Sequence, residues 1–191
     1  MRINKSFLNY SRVIHVYVSM ALLTLMVFFS ITGVTLNHPE WFADNEAYVD
    51  ELELQLPRSL LGVEHQGELI KYLHQQSWFN GKRLTLERDE YELFISDKGP
   101  GAHLAITVDL ESGDAFIEKT NYGMWAKLND LHKGRNSGAV WRLVIDVSAI
   151  LMILFSVTGL VLALAQRRVN KTLALSLVTT LGVFFCYLFY V

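Results

Sequence analysis

Hydrophobic and polar positions divide this chain into three long apolar runs and one long mixed segment. Apolar residues dominate positions 13–36, 139–165 and 172–191. A helix needs about 20 such residues to cross the roughly 30 Å of hydrocarbon in a bilayer, so each run reads as a membrane-spanning helix. Arg142 and Asp146 are the only formal charges inside them. The first two runs carry the same phrase, Phe29-Ser30-Ile31-Thr32-Gly33 and Phe155-Ser156-Val157-Thr158-Gly159.

The mixed segment has shorter periods. Gln66 to Ser77 sets Leu69, Ile70 and Leu73 on one stripe, which predicts an amphipathic helix. Four strand-like pieces follow, at 83–87, 91–96, 102–110 and 115–119, with polar turns between them. Leu104, Ile106, Val108 and Leu110 alternate with polar or small residues, as in a sheet with one covered face. The stretch before them, 40–53, reads as an acidic connector. Helix plus antiparallel meander makes a small α+β domain over 37–120. From Asn121 to Leu131 the spacing is helical again, with Tyr122, Trp125, Leu128 and Leu131 on one stripe. Beside a span, such a stripe predicts a helix in the headgroup plane, and Lys133 to Gly138 then breaks it.

Charge adds an orientation. Arg2, Lys5 and Arg12 precede the first span, and Arg167, Arg168 and Lys171 fill the turn at 166–171, with no acid in either flank. Short basic flanks stay cytoplasmic. Between the first two spans, roughly 10 Lys and Arg stand against about 18 Asp and Glu, a net near −8. Residues 1–12 and the turn are thus expected in the cytoplasm, with the acidic domain and the C-terminus outside. The first run is longer than a signal-peptide core and no small-x-small site follows it, so retention as an anchor is expected. An acidic outer domain argues against nucleic acid as a partner. The one cysteine, Cys186, lies in the third run and is expected to be a buried, inert thiol.

The combination of these pieces is specific. The span from Ile14-His15 to Thr32-Gly33, the meander with Ile106-Thr107-Val108-Asp109-Leu110-Glu111-Ser112-Gly113-Asp114, and Leu131-His132-Lys133-Gly134-Arg135-Asn136-Ser137-Gly138 leading to the second Thr-Gly phrase resemble the PepSY-associated transmembrane helix family, in its short three-span branch. The resemblance covers nearly the whole chain. It implies a membrane α-helical protein with three transmembrane helices and an α+β PepSY-like extracytoplasmic domain, in the inner membrane of a bacterium. Longer members are membrane reductases that carry b-type haem between helices and act on ferric siderophores; other PepSY domains are linked to peptidase regulation.

The residues that could carry such chemistry are histidines and cations. His38 follows the first span and His132 precedes the second, which places both near the outer face. Axial ligation of a b-type haem needs two neutral imidazoles, an apolar slot and cations for the propionates. His38 and His132 would be the iron ligands, with Arg135 and Arg142, and Lys133 beside them, as the cations. The alternative is that His38 helps to cap a helix while His132 is a polar residue at headgroup level. His15 lies about 34 Å from His38 at 1.5 Å per residue and is expected to pack against the second span. Gly33 and Gly159 are read first as helix-packing positions. Arg142 and Asp146, four apart, are either a self-neutralising pair or a propionate anchor beside a proton relay. His65, His74 and His103 share no metal-ligand spacing.

Two functions remain open on the sequence. One is electron transfer: a haem-dependent membrane oxidoreductase, or a subunit of one, delivering electrons to a periplasmic redox or substrate-delivery partner or to a metal chelate. The other is a non-catalytic adaptor that binds a peptide, protease or assembly partner. The bilayer and a second copy of the chain are expected partners under either.

Overall fold

The computed structural model describes residues 4–42 and 47–190. Arg2 of the basic flank, positions 43–46 of the acidic connector and Val191 of the last span lie outside the described residues. The chain forms two compact units, residues 1–28 with 144–191 and residues 29–143.

Three helices are long and apolar enough to cross a membrane: α1 (Lys5–Asn37), α4 (Gly138–Leu164) and α5 (Val169–Tyr190). The first begins eight residues before the apolar run. Asn4 starts it, its Oδ1 accepting the Ser6 N–H at 2.9 Å, and helix formation does not stop where hydrocarbon ends. At the other end α1 stops at Asn37, and Pro39–Phe42 forms a 3₁₀ turn. In the first unit Val18, Leu22, Ser148 and Thr158 are buried. No residue of α5 is buried, and Cys186 is exposed, contrary to the expectation of a buried thiol. Helices in a bilayer need not bury apolar residues in protein, because lipid is as apolar as leucine.

The second unit contains a five-stranded antiparallel sheet, ordered β1-β5-β4-β3-β2. Its strands are β1 (Tyr48–Gln55), β2 (Leu84–Arg88), β3 (Glu92–Gly99), β4 (Ala102–Asp109) and β5 (Asp114–Asn121). The last four are the expected meander. The first corrects the reading of 40–53 as a connector: Tyr48–Gln55 pairs along its full length with β5. Nearly every residue of β1 is exposed, so burial leaves little trace in its composition and the backbone ladder holds it.

One row across the sheet, Leu86–Ile95–Ile106–Ile117–Leu52, is in register from edge to edge. The middle three are fully buried, and Leu69 and Leu73 of α2 (Gln66–Gln75) join them in the core. That α2 stripe is the one its spacing predicts. The adjoining row, Leu84–Asp97–Leu104–Lys119–Asp50, carries three charges on the same face. Apolar core thus gives way to a polar margin within one residue pair.

The helix α3 (Gly123–Lys133) follows β5. Its first two turns rest on the β3–β4 hairpin: Gly101 donates its N–H to Asp130 Oδ2 at 2.9 Å, and the Tyr122 N–H donates to the Gly101 carbonyl at 2.9 Å. Gly101 has φ +65°, and a Cβ there would lie 2.7 Å from the backbone of Lys127. Only glycine fits that approach. The contacts that position α3 are therefore made with protein.

Candidate functional site

Among the described residues, a threonine hydroxyl and an imidazole share a hydrogen bond twice, each time at a Thr-Gly phrase. In the second unit, His132 near the end of α3 places Nδ1 2.6 Å from the Thr32 hydroxyl. Its ring meets Phe29 edge-on, 5.1 Å between centroids. In the first unit, His15 places Nδ1 3.0 Å from the Thr158 hydroxyl and 3.2 Å from the Phe155 carbonyl. That ring stacks on Phe155 at 4.5 Å. Each phrase thus supplies a hydroxyl to an imidazole nitrogen and an aromatic face or edge to its ring.

The bonding assigns the tautomer. A carbonyl can only accept, so the Phe155 oxygen requires the proton on His15 Nδ1. Thr158 agrees, for its hydroxyl proton goes to the Leu154 and Phe155 carbonyls at 2.8 and 3.0 Å. At His132 the Thr32 hydroxyl and Nδ1 share a 2.6 Å hydrogen bond that holds the ring by its Nδ1 edge and turns Nε2 away from the threonine. At His15 the proton on Nδ1 leaves Nε2 as the ligating nitrogen. Neither Nε2 has a hydrogen-bond partner among the described residues, and neither is shut inside the protein. An imidazole with Nδ1–H fixed and Nε2 open is the form that ligates a metal.

His38 is held by other means. Its Nδ1 lies 3.3 Å from Glu40 Oε1, and its ring stacks on Trp41, 3.9 Å between centroids and 5° from parallel. Nε2 has a long 3.4 Å contact with Asn37 Nδ2. A carboxylate on Nδ1 again leaves the lone pair on Nε2. No hydrogen bond or ring contact joins His38 to His132 among the described residues. The end of α1 is further tied to α3 by Thr35 Oγ1, which donates to Asn129 Oδ1 at 2.8 Å.

The cations are exposed. Arg135 leaves α3 with its N–H on the Asp130 carbonyl at 2.9 Å, its guanidinium free to solvent. Arg142 and Asp146 are both exposed on α4. His65 pairs with Glu68 at 3.2 Å, His74 bridges the Ile70 and Gly81 carbonyls, and His103 reaches Ser96 at 3.4 Å.

Sequence reading pointed to the glycines of the repeated phrase and passed over its threonines. The signal was the repetition of Thr together with Gly, one residue before it. Also missed was the chain of contacts that runs from Gly101 through Asp130 and Asn129 to Thr35, with His132 on the same helix.

The family model described as PepSY_TM-like matches residues 9–191. No curated protein and no solved structure matches the chain. The match spans all three helices and the domain between the first two, and the chain belongs to the PepSY_TM-like family.

Proposed function

We propose that this PepSY_TM-like membrane protein binds one b-type haem through His132 and His38 and passes electrons to an acceptor on the outer side of a bacterial inner membrane. The observation that carries the reading is His132, whose Nδ1 is fixed by Thr32 while Nε2 stands open. His38, with Glu40 on Nδ1, would supply its Nε2 once the long 3.4 Å contact with the Asn37 amide gives way. The donor set therefore suits a haem iron, and Arg135 and Arg142 are the cations available to its propionates. Haem would supply one-electron chemistry. The chain's own residues would fix the ring tautomers, neutralise the propionates and keep lipid-facing walls apolar. A metal chelate, such as a ferric siderophore, or a periplasmic redox protein is the acceptor this reading names.

Orientation rests on the basic flanks: Lys5 and Arg12 before α1, and Arg167, Arg168 and Lys171 around the α4–α5 turn, are placed in the cytoplasm. The test is the optical spectrum of the purified protein reduced with dithionite. A sharp α-band is expected, lost in His132→Ala and broadened or shifted in His38→Ala. A colourless protein, or a band indifferent to both substitutions, would refute the assignment.

A second reading has its own support. The edge strand β1 has seven exposed residues out of eight, and its outer backbone groups have no neighbouring strand among the described residues. Such an edge accepts an added strand from a peptide or assembly partner. A colourless protein that retains a stable periplasmic partner through β1 would establish this adaptor role instead.

A further inference from the structure

Beside the end of the sheet lies a cleft of about 480 Å³, within the size range of small-ligand sites. Its floor is the charged row Asp97–Leu104–Lys119–Asp50, and its wall is the loop from α2 to β2. The domain around it is strongly acidic, yet the cleft collects Lys82, Arg83 and Lys119. That concentration runs against the composition of the segment.

Where each charge is spent decides what the cleft can hold. Asp97 lies in that floor with both oxygens turned inward: Oδ2 accepts the Lys82 backbone N–H at 2.6 Å, and Oδ1 is buried. Asp50 is then the one exposed carboxylate among the described lining residues. On the donor side, Trp78 holds the Lys119 ammonium 5.4 Å from its ring centroid. Arg83 is anchored through Nη2 to the Asn136 carbonyl, which leaves its other donors. The Lys82 side chain, the amides of Asn80 and Asn121, the Tyr48 hydroxyl and the His103 ring also line it. Asn121 has its Oδ1 engaged by the Gly123 N–H at 2.9 Å, so its amide nitrogen is what remains to offer. Accessible donors outnumber accessible acceptors, and two of the donors are fixed in place.

We propose that this cleft is a binding site for a small polycarboxylate anion on the outward domain. The carboxylates would meet Lys82 and Lys119, and the neutral amides and phenol would take hydroxyl or carbonyl oxygens. The site is independent of haem and of the two imidazoles described above. It would make the outward domain a receptor for a dissolved anion.

The test uses the full chain in lipid nanodiscs, titrated calorimetrically with citrate and separately with triethyl citrate. Saturable binding of citrate and none of the ester is expected. Lys82→Ala and Lys119→Ala should each weaken binding about tenfold or more, the scale of one charge-assisted hydrogen bond. Lys98→Ala is the control: Lys98 is exposed and its alternation places it on the opposite sheet face. Lys82 is exposed, so its variant decides the matter should Lys119→Ala fail to fold. No heat with citrate, equal binding of the ester, or an equal loss in the Lys98 variant would overturn the site.

Discussion

Threonine in a membrane helix ordinarily gives its hydroxyl proton to a carbonyl three or four residues back. Thr158 does this, and the oxygen lone pair left over receives the His15 N–H; Thr32 pairs its hydroxyl with His132 Nδ1. Thr32→Val and Thr158→Val keep the shape and remove that hydroxyl. Each should cost about 0.6 kcal/mol, at most about 1.7 kcal/mol, the measured scale for hydrogen bonds within membranes. Each should also release the tautomer of its own histidine alone, which nitrogen-15 spectra of the ring would show. The two glycines are not equivalent. A Cβ at Gly159 would sit 3.2 Å from His15 Cε1, tighter than ordinary contact, whereas one at Gly33 would sit 3.7 Å from His132 Cε1. Gly159→Ala should therefore displace its imidazole and Gly33→Ala should not, a difference visible in the same spectra.

Among the elements, two polar turns and one hairpin govern the sheet domain. Asp89 accepts the N–H groups of Glu92 and Tyr91 at 2.7 and 2.8 Å, and Asp109 those of Ser112 and Glu111 at 2.7 and 2.9 Å. These bonds, chiefly from Glu92 and Ser112, hold both carboxyls below the usual carboxylate range. A depressed folded value means stability that is present above the unfolded value, near pH 4, and lost as pH falls through the lower folded one. The melting temperature of the wild type should exceed that of Asp109→Asn at pH 7, and the gap should close in acid. The hairpin matters through Gly101. Alanine there takes on a left-handed conformation costing about 1–2 kcal/mol and overlaps Lys127, so α3 must move, and the His132 ring resonances should shift with it. The helix α2 and the meander were legible because their apolar stripes repeat at 3.6 and 2 residues. The strand β1 was not, because its short alternation, Glu51-Leu52-Glu53-Leu54, sits in an acidic run and only Leu54 is drawn partly into the core, so the ladder does most of what burial does elsewhere. The threonines were not legible as histidine partners, because a membrane threonine is satisfied by its own helix and needs no other group.

At the scale of the molecule, each of the two units contains one Thr-Gly phrase with its own histidine, so the repeat seen in the sequence is a repeat of structure. All three spans were legible because about 20 apolar residues leave a helix few alternatives in lipid. Their direction is legible only through charge: the flanks at Lys5–Arg12 and Arg167–Lys171 hold cations without acids, while the long domain is acidic. By the retention of cations on the cytoplasmic side, the sheet is expected on the outer side of the membrane. The prediction can be read with a membrane-impermeant maleimide on intact cells, after Cys186→Ala removes the exposed native thiol. Glu111→Cys, on an exposed turn, should be labelled without lysis, and Gln166→Cys, beside the Arg-Arg pair, only after it. The reverse pattern would put the anion cleft and the edge of β1 in the cytoplasm, and the outward acceptor would lose its access to this protein.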